Sequence, residues 1–367
     1  SLQQAAGNAL AEHFEGVLFM ATKFTSSATI IPVDESVGTI LAHDITEIRP
    51  GQFKGPAFKK GYIIQEADLP HLKRIGKEHL YVLHLKAGEI HEDDAALRLA
   101  RAMAGKGVRF DPVPSEGKIQ LKAACRGLLK IDVEALTQIN LVPDICCSSR
   151  HTHTVVEEGD ILAGLRAIPL IIDEAHLQEA EGIALKAEGL FTVKPFQTSR
   201  TGLVITGNEV YAGLINDKFA PIIRKKLQAF DCGVMGIAFA PDDKNRIVSN
   251  IHRLIQQGAQ MIVVAGGMSV DPDDVTRAAI LEAGAEDVVY GTPVLPGAMF
   301  LYGHLKEVPI LGVPACVLYF RATVLDLILP RVLAGERITR KDLAALAHGG
   351  MCLECKACHF PACPFGK

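Results

Sequence analysis

Two short stretches of this chain hold residues whose types and spacing can do chemistry. The first is MIVVAGGMSVDPDDVTR, Met261 to Arg277, in which an apolar run stops at Gly266-Gly267 and gives way to Ser269, Asp271, Asp273 and Asp274. Glycines after a strand let backbone amides face an anion at close range. The aspartates beside them would repel such an anion. The plainer alternative is a tight strand-to-helix turn with Asp274 as its N-cap. The second stretch is the end of the sequence, GGMCLECKACHFPACPFGK, where Cys352, Cys355, Cys358 and Cys363 form C-x2-C-x2-C-x4-C-P. Four thiols this close suit a metal better than they suit packing. The triple spacing and the following proline favour a [4Fe–4S] cluster over Zn²⁺ held by four Cys, or by three Cys and His359. A disordered tail with stray thiols is the alternative to both.

Two further loops leave apolar runs in the same half of the chain. ITGNEVYAGLIND carries Thr206, Gly207, Asn208, Glu209 and Asp217, and GVPACVLYF carries Pro314 and Cys316. Each has an ordinary reading as well: Asn208 and Glu209 as turn residues, Asp217 as the cap of the helix from Phe219, Cys316 as a buried inert thiol. His151 and His153, with Glu157 and Glu158 nearby, read as a solvated loop rather than a metal site.

The elements that must position these loops follow from periodicity. After Thr201 short apolar strands (TGLVIT, VMGIAFA, AQMIVVAGG, VPILGVP) alternate with amphipathic helices (FAPIIRKKLQAFDC, NRIVSNIHRLIQQG, DVTRAAILEAGA, YFRATVLDLILPRVLAG). That rhythm predicts an α/β three-layer, doubly wound, mostly parallel sheet, with ligands beyond the carboxyl ends of its strands. The Gly-Gly loop would then also use the N-terminus of the helix near Asp274. Upstream, residues 1–85 and 86–200 read as two α+β regions. In the first, IRPGQFKGPAFKKGYII is expected to be loop entering a strand; in the second, Gly105 is expected to cap the helix EDDAALRLARAMAG. The division is therefore 1–85, 86–200, 201–340 and a Cys-rich tail at 341–367.

The 367 residues are 49% hydrophobic and 22% charged, which is ample for real cores. A formal charge of −4 gives no basic field for nucleic acid, and no apolar run approaches a membrane span. The N-terminus lacks the basic and apolar pattern of a signal peptide. Nine cysteines, four of them in the last sixteen residues, argue for a reducing compartment, so the expected location is the cytoplasm.

In their order, TGNEV, IND, GGMSVDPDDVT, PGAMFLYG and VPILGVPACV resemble the molybdopterin-binding domain shared by molybdopterin adenylyltransferases and molybdopterin molybdenumtransferases. The resemblance covers about Thr201 to Gly335, and VGTILAHDI with AFKKGYIIQEADLPHLKRIG resembles pieces of the molybdenumtransferase N-terminal region. It implies a pocket for molybdopterin or its adenylylated form, with Mg²⁺. The implied cofactor-binding residues are Thr206, Gly207, Asn208, Gly266, Gly267, Ser269, Asp273, Thr276, Pro296, Gly297 and Pro314, and the implied catalytic residues are Asp274, Glu209 and Asp217. It also implies a homo-oligomer, a place in molybdenum-cofactor biosynthesis and a molybdoenzyme as recipient. The chain departs from the family pattern at Asn208, at Asp271, at GVPACV in place of Leu-Pro-Gly-Asn-Pro, and in lacking an acidic D-x-S-A-M-D-G-like segment. The departures keep two alternatives open: a non-catalytic carrier or redox sensor, and a metal-dependent nucleotide pyrophosphate hydrolase.

Overall fold

The computed structural model describes residues 29–49, 53–83, 86–115, 117–168, 170–187, 189–269 and 274–367. Asp271, Asp273 and the N-terminal stretch read above for a signal peptide lie outside these residues.

The C-terminal sheet has six strands in the spatial order Gly233–Ala240, Arg200–Thr206, Met261–Ala265, Val308–Val313, Leu301–Leu305, Glu286–Tyr290. The first four run parallel; Leu301–Leu305 runs antiparallel to both of its neighbours, so Glu286–Tyr290 points the same way as the first four. Alternation along each strand sends side chains to two separate cores. Leu203, Ile205, Met261 and Val263 pack against the helices Phe219–Gln228 and Val324–Leu333. Val204, Ile262 and Val264 pack against the helices Lys244–Gln256 and Thr276–Glu282. The result is the expected three-layer, doubly wound sheet. The chain leaves Arg200–Thr206 for one side of the sheet and returns to Met261–Ala265 on the other, so the order reverses between those two strand ends. The antiparallel pair Glu286–Tyr290 and Leu301–Leu305 was not legible as strands, because the segment between them is rich in Gly and Pro and shows no alternation.

Upstream, the helices Glu92–Met103 and Glu174–Lys186 pack with a four-stranded antiparallel sheet around one core that includes Leu99, Met103, Leu121 and Leu165. A smaller core of Val33, Leu41, Ile45, Phe58, Ile64, Leu72 and Leu80 lies before it. Here IRPGQFKGPAFKKGYII departs from the loop expected of it: Phe53–Phe58 is a strand paired with Ile45–Arg49. Gly105 is not a left-handed cap either. Ala104 ends the helix in extended conformation, and Gly105 is small because a Cβ there would lie 2.7 Å from the Phe191 carbonyl oxygen.

A buried ionic cluster ties the middle region to the C-terminal domain. Arg331 Nε donates to Glu336 Oε2 at 2.8 Å, and its other arm reaches Asp342. Lys130 Nζ lies 2.7 Å from Glu336 Oε1 and 2.8 Å from His153 Nε2. Burial works to raise the Glu336 carboxyl, but hydrogen bonds from Lys130 and Arg331 prevail and hold it low. Burial likewise opposes ionisation of Asp342, yet the Thr339 hydroxyl and Arg331 bring it to about 2. Burial, then the charges of Arg331 and Lys130, push His153 down to about 4. His153 is therefore an interface residue and a neutral imidazole near neutral pH, not part of a solvated loop.

Candidate functional site

The glycine loop is built by close approach. Gly266 and Gly267 have φ of 99° and 57°, in the left-handed region where side chains are strained. A Cβ on Gly266 would lie 2.5 Å from the Thr206 carbonyl oxygen, and one on Gly267 would lie 2.6 Å from Thr276 Oγ1. Both threonines are buried, with their hydroxyls 3.1 Å apart. Since Thr206 Oγ1 donates to the Ala265 carbonyl at 3.4 Å, the Thr276 hydroxyl is left to donate to Thr206. Gly266 N–H donates to the Val313 carbonyl at 3.4 Å, one residue before Pro314. Three parallel strand ends are thus joined by backbone and hydroxyl bonds alone.

The fourth strand end enters through Asn208. Its N–H donates to Asp242 Oδ2 and its Oδ1 accepts from the Asp242 N–H, both at 3.1 Å, while Gly207 N–H donates to the Ala240 carbonyl at 3.2 Å. This gives Asn208 a physical reason. An aspartate could accept the same bond, but it would place a second carboxylate against Asp242. Sequence reasoning missed Asp242, although PDD directly after VMGIAFA marks a fourth strand end.

Asp274 is not a helix cap. The helix Thr276–Glu282 is capped at Val275 without a side-chain bond, and Asp274 Oδ2 instead accepts the Ser269 N–H at 2.8 Å, closing the loop on itself. At seven residues that helix is too short for the dipole expected of it to matter. Asp217 follows its ordinary reading, accepting from Phe219 N–H at 2.7 Å and Ala220 N–H at 3.1 Å. Glu209 is exposed, and its Oε2 reaches back to within 3.8 Å of where a Gly207 Cβ would stand. Pro296 and Gly297 face another way: the Pro296 carbonyl accepts Val324 N–H at 3.2 Å, and a Gly297 Cβ would lie 2.4 Å from Val324 Cγ1. They seat the last long helix rather than the glycine loop. Burial pushes the Cys316 thiol up, as befits an inert cysteine.

Behind the loop, Tyr290 hydroxyl donates to the Met268 carbonyl at 3.0 Å, and the Arg277 guanidinium sits 4.4 Å from the Tyr290 ring centre. Neither residue stood out in the sequence. Tyr290 ends a strand that periodicity did not mark, and Arg277 carries no motif.

Cys352, Cys355, Cys358 and Cys363 line a single cavity of about 480 Å³ together with Tyr319–Ala322. Cys355 and Cys358 are exposed, while Cys352 and Cys363 are partly buried against the C-terminal core. The thiols share this cavity without converging: among the described residues no three His, Cys, Asp or Glu side chains stand close enough to hold one ion.

In doubly wound sheets ligands bind beyond the carboxyl ends of the strands, where the strand order reverses, and this glycine turn stands there. Residues 202–334 match the family model of a probable molybdopterin binding domain, and residues 30–84 match a domain of unknown function (DUF8806). The C-terminal α/β domain belongs to the molybdopterin-binding domain family. A molybdopterin molybdenumtransferase of Synechococcus elongatus is 24% identical over 147 residues, 38% of this chain and 36% of that protein. A CinA-like protein of Mycobacterium tuberculosis is 32% identical over 79 residues, 22% of this chain and 18% of that one. The tungsten cofactor synthesizing protein MoaB from Pyrococcus furiosus is 20% identical, with a TM-score of 0.29 over 37% of this chain and 93% of its own. The chain therefore spans well under half the length of these two curated relatives. Among the described residues no helix is long and apolar enough to cross a membrane.

Proposed function

We propose that this chain binds molybdopterin, or its adenylylated form, at the carboxyl ends of the parallel strands, and that it works in molybdenum-cofactor biosynthesis in the cytoplasm. The observation that carries the reading is the glycine loop, where Gly266 and Gly267 leave no room for a Cβ against Thr206 and Thr276. Such a loop lets a phosphate come to the backbone amides. Thr206, Gly207 and Ser269 border the same turn, with Asp273 as a further family-implied contact and Pro314 beside Gly266. Pro296 and Gly297 support it only through the helix they seat.

Asp274 suits Mg²⁺ held jointly with phosphate, since that ion commonly takes one or two carboxylates and keeps several waters. One Asp274 oxygen holds the Ser269 amide and the other points to no partner among the described residues, which leaves a single carboxylate donor. Bound there, the ion would supply charge neutralisation for the phosphate. Glu209, exposed at the first strand end, provides a second acidic group, and Asp217 acts by fixing the helix that follows. If the chain is an enzyme, the reaction is transfer of molybdate to the bound pterin, which demands positioning more than a covalent nucleophile.

A carrier or redox-sensor reading has one observation in its favour. In the resemblance, IRPGQFKGPAFKKG sits near the place of the family's acidic segment, and Lys60 in it pairs with Asp93 at 2.9 Å. On either reading the tail cysteines take a thiolate-bound centre, a [4Fe–4S] cluster or Zn²⁺, and the chain self-associates and passes its cofactor to a molybdoenzyme. Incubation of the chain with adenylylated molybdopterin, molybdate and Mg²⁺ separates these readings. Molybdenum incorporated into the pterin marks the transferase, and tight binding without incorporation marks the carrier. Pyrophosphate cleavage of simple dinucleotides, without pterin binding, would move the protein to the hydrolase class.

A further inference from the structure

The fourteen residues from Cys352 to Phe365 contain no helix or strand, yet both ends of the segment are fixed. Cys352 N–H donates to the Leu295 carbonyl at 2.8 Å, and Gly366 N–H donates to the Gly349 carbonyl at 2.8 Å. Close packing enforces this base: a Cβ on Gly349 would lie 2.1 Å from the Lys367 carbonyl oxygen, and one on Gly366 would lie 2.4 Å from Leu327 Cδ2. Phe365 is 3% exposed and joins the C-terminal core. Between Leu353 and Ala362, however, one backbone bond is made among the described residues, from Ala362 N–H to the His359 carbonyl at 2.7 Å.

A loop pinned this firmly at its base but with almost nothing of its own inside is uncommon in a compact domain. What the segment from Cys352 to Phe365 does contain is four cysteines lining one cavity. Metal binding contributes folding free energy where a small segment cannot build a core. Arg321 and Lys356 line the same cavity.

Tyr319–Ala322 also lines this cavity. That segment directly continues the turn Ala315–Leu318, which follows Pro314 at the strand end bonded to Gly266. The cysteine loop therefore shares a cavity with the segment that follows the strand end bonded to Gly266.

We propose that Cys352, Cys355, Cys358 and Cys363 together hold one metal centre that serves as the core of this loop and, through Tyr319–Ala322, fixes the turn beside the glycine-loop site. The centre is a four-thiolate site whichever metal fills it. Its effect on pterin binding rests on the function proposed above; its effect on the turn does not.

The test loads the full chain anaerobically with iron and sulfide, or with zinc alone, alongside the Cys355→Ser/Cys358→Ser variant. Both substituted thiols are exposed, so the fold is expected to survive. Amide hydrogen exchange is read over 353–361 and 316–322. We expect loading to slow exchange in both segments by about tenfold or more, with the variant unresponsive. Iron with acid-labile sulfide identifies a cluster, and zinc with its thiols shielded from alkylation identifies a mononuclear site. Failure of either metal to bind, or binding that leaves 316–322 unchanged, overturns the proposal. If loading protects both segments but neither form binds molybdopterin, the pterin reading fails while this one stands.

Discussion

The glycine loop and the cysteine loop lie at the two ends of one stretch of chain, and they are held in opposite ways. At Gly266-Gly267 the backbone is fixed by its own neighbours: hydroxyls, carbonyls and the Ser269–Asp274 bond leave little to be supplied from outside. At Cys352–Cys363 the base is fixed while the middle makes almost no backbone hydrogen bonds of its own among the described residues, so on the proposal above a metal completes the structure. On the two proposals, one region is organised before it binds and the other by binding. Preorganisation lowers the cost of capturing a ligand, whereas a site that folds on its metal lets metal supply control its state.

The largest test of that contrast lies beneath both regions. Arg331 anchors the helix Val324–Leu333, whose N-terminal turn follows Tyr319–Ala322. Arg331→Met leaves Glu336 and Asp342 without their buried cation and should cost about 3–5 kcal/mol in urea denaturation, loosening both loops together. Gly266→Ala should act on one loop alone. A Cβ against the Thr206 carbonyl at positive φ should cost about 1–3 kcal/mol and abolish pterin binding, while leaving metal uptake by the tail intact. Equal damage to metal uptake would mean that the two regions are not organised separately.

Acid should weaken the interface in two windows. His153 has its pKa depressed from 6.5 to about 4, so the unfolded chain takes up its proton first, and stability is lost as pH falls from about 6.5 towards 4. Asp342, depressed from 3.8 to about 2, contributes stability above its unfolded value that is lost as pH falls from about 4 towards 2. His153→Asn should flatten the upper window in thermal melts at stepped pH and leave the lower one unchanged. The smallest effect is expected of Asn208→Asp. It keeps the bond from Asp242 N–H but adds a like charge beside that carboxylate, a loss of about 1 kcal/mol or less that salt should reduce.

How much of this could be read in the sequence differs between the two regions as well. The strands from Thr201 onward were legible because their apolar runs are short, regular and separated by amphipathic helices. The Gly-Gly turn was legible because glycine after a strand has few other uses. What Asp274 bonds to was not: capping and loop closure use the same residue type, and the choice depends on where Ser269 falls in space. Asp242 was hidden because its role appears only when Asn208 lies across from it. Pro296 and Gly297 belong to the motif order but pack on Val324, since chain order says nothing about which wall a turn supports. In the tail the cysteine spacing was plain, while the pinned base was invisible because it depends on close packing at Gly349 and Gly366.

The most direct measurement is molybdopterin binding by the full chain beside Asp274→Ala and Gly267→Val, read as pterin fluorescence after oxidation of the bound fraction. The account predicts saturable, Mg²⁺-dependent binding to the native chain, strongly weakened binding in Asp274→Ala and no binding in Gly267→Val. Binding unaffected by both substitutions, or no binding by a folded native chain, would contradict it.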